Sequence, residues 1–129
     1  MFEPSSMDKR RRFGNASEVA AARYLEGKGY RILAHQFRTP HGEIDLISEK
    51  DNELIFVEVK ARKNLDFGYP EDAVGQAKLR KMLAAAEIYM EQNKVVDSPF
   101  RFDIIAMLLQ KDGSFEIEHL EAVDTGGEE

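Results

Sequence analysis

The sequence contains no cysteine, and it has no apolar run that approaches the length of a membrane span. The first absence excludes disulfide scaffolds, thiolate zinc sites and thiol nucleophiles. The second argues against a transmembrane helix, which needs about 20 apolar residues. The start of the chain, MFEPSSMDKRRRFGN, is basic but leads into no apolar segment, so we expect no secretory signal. We therefore expect a cytoplasmic protein, and its 129 residues are enough for one domain with its own core.

Acidic residues predominate, and the charge is unevenly distributed. The formal net charge is −6. Residues 1–40 hold eight Lys and Arg against four acids, residues 41–96 eight against eleven, and residues 97–129 two against nine. An acidic chain is poorly suited to coating nucleic acid, because phosphate neutralisation dominates that affinity, but an enzyme with a local basic rim is compatible with it. The basic run at residues 9–12 either contacts a backbone or is solvated at a terminus.

Residues 42–62 organise the chain. Their sequence, GEIDLISEKDNELIFVEVKAR, predicts two apolar strands, at residues 43–48 and 54–62, around a polar turn. Successive side chains of a strand point to opposite faces. One face of the second strand then carries Ile55, Val57, Val59 and Ala61, and the other carries Leu54, Phe56, Glu58, Lys60 and Arg62. In the first strand Glu43, Asp45 and Ile47 are predicted on one side, and Ile44, Leu46 and Ser48 on the other.

The hairpin register brings two acids together. A turn of two or four residues centred on Asp51-Asn52 pairs positions whose numbers sum to 103, which sets Asp45 opposite Glu58. Facing like charges are unfavourable, and a divalent cation between them would remove the repulsion, since Mg²⁺ prefers carboxylate ligands. Lys60 would project beside that cation, where an ammonium can orient a water or offset charge on a phosphate. The alternatives are an odd-length turn, which breaks the register, and an ordinary charged sheet face.

The first helix supplies a further acid. Residues 1–12 are predicted to be disordered, and Asn15 or Ser17 to cap a helix that reaches about Leu25. Glu18 lies on the helix face that should be buried. It is either a first-turn acid favoured by the helix dipole or a carboxylate aimed at the metal site.

The remaining elements define the fold class. A strand is predicted at residues 30–38, and the turn after it holds His41, either a proton carrier or simply exposed. A helix follows at residues 70–93, and then strands at 100–109 and 115–123. The helix between the hairpin and strand 100–109 implies a crossover to a parallel strand, hence a mixed sheet flanked by helices.

This αβββαβ order, with an inward Glu, then Asp, then Glu-x-Lys, resembles the restriction-endonuclease-like PD-(D/E)XK superfamily, which includes archaeal Holliday-junction resolvases. Ordered stretches over residues 13–108 resemble, more narrowly, the YraN-like bacterial family, whose members are generally described as predicted endonucleases. These stretches are GNASEVAAARYLEGKGYRIL, GEIDLI, FVEVKAR, FGYPEDAV and RFDIIAM.

The resemblance implies a restriction-endonuclease-like α/β fold with an αβββαβ core. We expect a nuclease-like domain at residues 13–123, between a flexible basic N-terminus at 1–12 and a flexible acidic tail at 124–129.

The resemblance also assigns site residues. It implies Asp45, Glu58 and the Val59 carbonyl as ligands of Mg²⁺ or Mn²⁺, Lys60 as the catalytic lysine, and Glu18 as the helix carboxylate of resolvase-like members. The candidate nucleic-acid contacts are Arg62, Gln76 and Lys78, with a structural ion pair as the alternative for Arg62.

The expected function is a metal-dependent endonuclease that hydrolyses nucleic-acid phosphodiesters, with structured or branched DNA among its substrates. Nucleic acid, and DNA first, is the expected partner; no membrane is expected, and the resemblance to dimeric resolvases is compatible with a homodimer. One alternative is a non-catalytic nucleic-acid or partner-binding module on a nuclease-like scaffold. Another is an assembly protein that uses the sheet edge near residues 115–123.

Overall fold

Five strands form one mixed sheet, and a long helix packs on each of its faces. The structure is a computed structural model that describes residues 6–125. Its elements are α1 (Ser6–Gly27), β1 (Arg31–Thr39), β2 (Gly42–Lys50), β3 (Glu53–Arg62), a short 3₁₀ helix (Pro70–Ala73), α2 (Gln76–Gln92), β4 (Phe100–Leu109) and β5 (Phe115–Leu120). None of the helices in this range is both long and apolar enough to cross a membrane.

The sheet has the strand order β1-β2-β3-β4-β5. Neighbouring strands are antiparallel except β3 and β4, which run parallel and are joined through α2. Parallel neighbours need such a crossover, because a tight turn can join only antiparallel strands. The α/β fold class, the αβββαβ core and the mixed sheet are confirmed.

The β2–β3 hairpin has the predicted register. Its pairs run from Lys50–Glu53 to Leu46–Val57 and all sum to 103. The turn is the two-residue form, and Asp51 and Asn52 have φ angles of 52° and 65°. Left-handed conformations at both turn residues are typical of the type I′ turns that match the twist of a hairpin.

The core has two layers. One cluster lies between the sheet and α1 and includes Ile55 and Val57; the other lies between the sheet and α2 and includes Leu54 and Phe56. The alternation predicted for the second strand of the hairpin is therefore confirmed.

The alternation predicted for the first strand is wrong. Ile44 and Ile47 both belong to the cluster on the α2 side, whereas Leu46 belongs to the cluster on the α1 side. The change of face falls at Asp45. In β1, the residue between the partners of Ile44 and Leu46 is Gln36, whose φ is 48°. A left-handed residue interrupts the pleat of a strand, so the two strands reverse their faces at this step.

Two predicted helix starts are also wrong. α1 spans Ser6–Gly27 of the described residues, so residues 6–12 are helical rather than disordered, and Ser17 lies inside the helix with its Oγ donating to the Gly14 carbonyl at 2.8 Å. α2 begins at Gln76 because Val74 and Gly75 are extended and separate it from the 3₁₀ helix. Residues 1–5 and 126–129, which belong to the predicted flexible ends, lie outside the described residues.

Candidate functional site

A cleft of about 270 Å³ gathers most of the predicted site residues. It lies between α1, the ends of β2 and β3 that are remote from their turn, and the start of α2. Six predicted residues line it: Glu18, Asp45, Glu58, Val59, Lys60 and Lys78. They come from both helices and both strands of the hairpin, so only the folded chain brings them together.

Asp45 is fixed where the pairing of β2 with β3 ends. The last backbone pair of the two strands is Leu46 with Val57. Beyond it, Asp45 Oδ2 accepts a hydrogen bond from the Val59 amide at 2.8 Å. A side-chain oxygen thus takes the place that a backbone carbonyl has in a regular ladder. This contact holds the Asp45 carboxylate beside the strand that carries Glu58.

Glu58 is a buried acid with an incomplete set of partners. Its residue is 7% exposed, and its Oε1 has no hydrogen-bond partner among the described residues. Its Oε2 lies 3.8 Å from Lys78 Nζ. Burial, and then the charge of Asp45, raise the pKa of Glu58 to about 8, while Lys78 and Lys60 act in the opposite direction. The cleft therefore holds a carboxylate whose negative charge is not fully compensated by neighbouring cations and hydrogen-bond donors.

Glu18 faces the same cleft from α1. The Gln36 amide donates to its two carboxylate oxygens at 3.2 and 3.4 Å. Burial, and then the charge of Asp45, raise the pKa of Glu18. Gln36 was not predicted as a site residue. Its left-handed backbone conformation accompanies the change of face in β2, and its side-chain amide holds the Glu18 carboxylate.

The donor set fits a hard divalent cation. In residues 6–125, no group of three or more His, Cys, Asp or Glu side chains is arranged to hold a metal ion. The site instead offers two carboxylates, Asp45 and Glu58, and the second has an orphaned buried oxygen. Mg²⁺ is commonly bound by one or two carboxylates, with water and substrate oxygens completing its shell. A cation here would offset the repulsion from Asp45, which is the second cause, after burial, of the raised Glu58 pKa.

Two predicted contacts lie outside the cleft. Arg62 is near the end of β3, opposite Leu108 of β4, and its buried Nε has no hydrogen-bond partner among the described residues. Gln76 begins α2, and its Nε2 donates to the Asp124 carbonyl at 3.5 Å. Any contact of these two with nucleic acid stays a prediction.

Sequence reasoning missed several residues that line the cleft. Arg10 and Phe13 contribute from the first part of α1, and Glu43 from β2. Arg10 belongs to the basic run at residues 9–12, for which contact with a backbone was one alternative, but it was not expected in this cleft because residues 1–12 were predicted to be disordered. A signal for Glu43 was available, since it was placed on the same predicted face as Asp45.

Replacing Glu58 by Gln should change the pH dependence of stability. The raised pKa means that Glu58 is neutral in the folded chain where it is ionised in the unfolded one. The contribution of Glu58 to the free energy of unfolding is fully present below pH 4.5, where the folded and the unfolded chain both hold its proton. This contribution is lost as the pH rises to about 8, because only the unfolded chain ionises freely in that interval. We expect Glu58→Gln to be more stable than the wild type at pH 8 by roughly 2–5 kcal/mol, and close to it at pH 4.

Urea unfolding in EDTA at pH 4, 6 and 8 measures this difference. Glu87→Gln, which neutralises an exposed acid on α2, is the matched control and should show no comparable rise. A constant difference between Glu58→Gln and the wild type across the three pH values would contradict the prediction.

Comparison with known proteins places most of the chain in one family. A model described as "Uncharacterised protein family UPF0102" matches residues 17–107. A UPF0102 protein of Phocaeicola vulgatus is 44% identical over 115 residues, which cover 89% of this chain and 93% of the relative. A UPF0102 protein of Syntrophomonas wolfei is 40% identical over 110 residues, which cover 85% and 95%. The matched range contains Glu18, Asp45, Glu58 and Lys60.

Proposed function

We propose, from the premise that this chain belongs to the uncharacterised protein family UPF0102, that it is a metal-dependent endonuclease acting on nucleic-acid phosphodiesters. Membership confirms the resemblance to the YraN-like family. One observation carries the proposal: the cleft holds a buried acid, Glu58, with an orphaned oxygen, next to Asp45 and Lys60. An uncompensated acid in a cleft is destabilising unless a ligand uses it.

Asp45 and Glu58 would hold Mg²⁺ or Mn²⁺, with the Val59 carbonyl as a further ligand. When bound, such an ion polarises a phosphate oxygen and lowers the pKa of a bound water. The Val59 amide holds the Asp45 carboxylate in one orientation, so its position is set before substrate arrives.

The other cleft residues act on water and phosphate. Lys60 follows Glu58 on the same strand face, where its ammonium can orient the attacking water and stabilise negative charge that develops on the phosphate. Glu18, held by Gln36, can accept a hydrogen bond from a water in the cleft. Lys78 contacts Glu58 from α2 and is placed to contact a substrate phosphate.

Further parts of the proposal concern the substrate and the assembly. We place DNA first among the substrates, with structured or branched DNA included, and we keep Arg62 and Gln76 as outer contacts. A homodimer, a cytoplasmic location and a nuclease-like domain at residues 13–123 belong to the same proposal.

A non-catalytic nucleic-acid or partner-binding module is the second candidate. The observation that favours it is the lack, in the described range, of a cluster of three metal-ligating side chains. In such a module Lys78 would be the permanent partner of Glu58. This candidate predicts nucleic-acid binding that is independent of metal and unaccompanied by cleavage.

Calorimetric titration with Mn²⁺ tests the metal site directly. We expect the wild type to bind Mn²⁺ and Asp45→Asn/Glu58→Gln to lose this binding, because the two carboxylates are the charged ligands. Asp66→Asn/Glu87→Gln removes the same charge at two exposed positions outside the cleft and should bind as the wild type does. A wild type that fails to bind Mn²⁺, both alone and with a DNA oligonucleotide present, would favour the non-catalytic module.

A further inference from the structure

A second cleft, of about 340 Å³, adjoins the first. The β1–β2 turn and the first two turns of α2 form its walls. Its lining residues are Thr39, Pro40, His41, Gly42, Glu43, Lys78 and Lys81. Glu43 and Lys78 line both clefts, so the two clefts are adjacent. A polymer that crosses the carboxylate pair can extend directly into the second cleft.

We infer that this second cleft binds a phosphate of the nucleic-acid backbone that flanks the scissile one, through Lys81 and His41. The inference rests on the proposed function and adds the path of the substrate: from the carboxylates, past Lys78, towards the β1–β2 turn.

The charge of the cleft suits an anion. Lys78, Lys81 and His41 supply N–H donors, and Glu43 is the only acid among the described residues that line the cleft. Glu43 Oε2 lies 3.6 Å from Arg38 Nε, so its charge is partly offset. Within residues 6–125, no ion pair involves Lys81. Its ammonium is exposed and available to a phosphate, whereas Lys78 is shared with Glu58.

The walls of the cleft are held in place. Thr39 Oγ1 accepts hydrogen bonds from the backbone amides of His41 and Gly42, both at 3.1 Å, and donates to the Gly42 carbonyl at 2.9 Å. A Cβ at Gly42 would overlap the backbone carbonyl of Lys81. The turn therefore packs against α2 at backbone distance, which sets the spacing between His41 and Lys81. Because the backbones that carry the two side chains are fixed before binding, only side-chain freedom is lost when the ligand arrives.

DNA binding in EDTA, measured by fluorescence anisotropy over a series of salt concentrations, tests the inference. For Lys81→Ala we expect an affinity about 3–10-fold weaker and a log–log salt slope reduced by about 1, as loss of one phosphate contact requires. Lys81→Arg should restore the salt slope.

Lys94→Ala is the matched control. It removes the same charge from an exposed lysine just beyond the opposite end of α2, outside both clefts. Equal effects of Lys81→Ala and Lys94→Ala on DNA affinity and slope would overturn the inference while leaving the proposed cleavage intact. If Lys81→Ala weakens DNA binding more than Lys94→Ala does, and the wild type never cleaves DNA, the phosphate-binding role of the cleft is supported and the nuclease function is overturned.

Inorganic phosphate distinguishes a backbone from a small anion. If the cleft serves the backbone, Lys81→Ala and Lys94→Ala should differ in DNA binding, whatever their affinity for phosphate alone. A difference that appears only with inorganic phosphate would overturn the inference, and so would a wild type with no affinity for DNA.

Discussion

Replacing Lys60 by Ala should lower the single-turnover rate of phosphodiester cleavage by about 100–1,000-fold, the usual cost of removing one preorganised electrostatic stabiliser. Lys60 lines the cleft beside Asp45 and Glu58, and its charge opposes the rise in the Glu58 pKa. In the proposed reaction Lys60 would therefore act at the place where negative charge develops during hydrolysis. Nucleic-acid affinity should change much less, because a group that acts mainly on the transition state contributes little to ground-state binding.

The control for Lys60→Ala is Lys111→Ala, which removes an exposed lysine in the turn between β4 and β5. Its cleavage rate should stay at the wild-type value. Lys60→Arg tests geometry, since a guanidinium keeps the charge but cannot reproduce a compact ammonium. A wild-type rate for Lys60→Ala would exclude the proposed role of this residue.

Local signals explain why the central hairpin could be predicted. Asp51 and Asn52 tolerate left-handed conformations, which favours a two-residue turn, and the turn length fixes the register. That register puts Asp45 directly beyond the last backbone pair of β2 with β3, next to Glu58. The proximity of the two acids could thus be predicted before any tertiary contact was known, although the ladder between β2 and β3 ends at Leu46–Val57 and does not include them as a pair.

The reversal of β2 at Asp45 could not be predicted in the same way. It accompanies the left-handed conformation of Gln36 in the neighbouring strand, which is uncommon for a residue other than glycine. Nothing in the local sequence marks this glutamine. Its role becomes visible only when the Glu18 carboxylate of α1 is placed against its amide.

The early start of α1 was missed for a different reason. A charged segment without apolar periodicity resembles a solvated coil, although Lys and Arg are good helix formers. Once Ala21, Ala22 and Leu25 pack against the sheet, the helix can extend towards the N-terminus, since propagation is easier than nucleation. This extension places Arg10 in the cleft.

The stretch RFDIIAM, matched in the sequence but unused by the proposed chemistry, contains a second buried acid. Asp103 has no exposed surface. Its Oδ1 accepts hydrogen bonds from Arg101 Nε at 3.0 Å and from the Ala122 amide at 2.9 Å, and its Oδ2 lies 2.7 Å from His119 Nε2. Arg101 also contacts Glu53 at 2.8 Å. The cluster therefore connects β3, β4 and β5 and the segment that follows β5.

Replacing Asp103 by Asn should destabilise the protein by about 1.5–3 kcal/mol, because it removes the buried carboxylate charge that binds Arg101, His119 and the Ala122 amide. Burial by itself raises the pKa of Asp103, but the bonds from His119, Arg101 and Ala122 hold it below its usual value. Its stabilisation is therefore present above the unfolded pKa and is lost as the pH falls through the folded value. Urea unfolding at pH 7 measures the effect, and Asp66→Asn, at an exposed position, is the control.

Glu58 and Asp103 lie on neighbouring strands of one sheet, yet the same carboxylate-to-amide change should act on them in opposite directions. Asp103 has donors for both of its oxygens, so its charge stabilises the fold. Glu58 has an orphaned oxygen and an acidic neighbour, so near pH 8 its charge opposes folding. A buried acid that costs stability is expected at a site whose partner is a ligand. If Glu58→Gln were destabilising at pH 8, as Asp103→Asn should be, Glu58 would be a structural acid and the metal site would lose its main support.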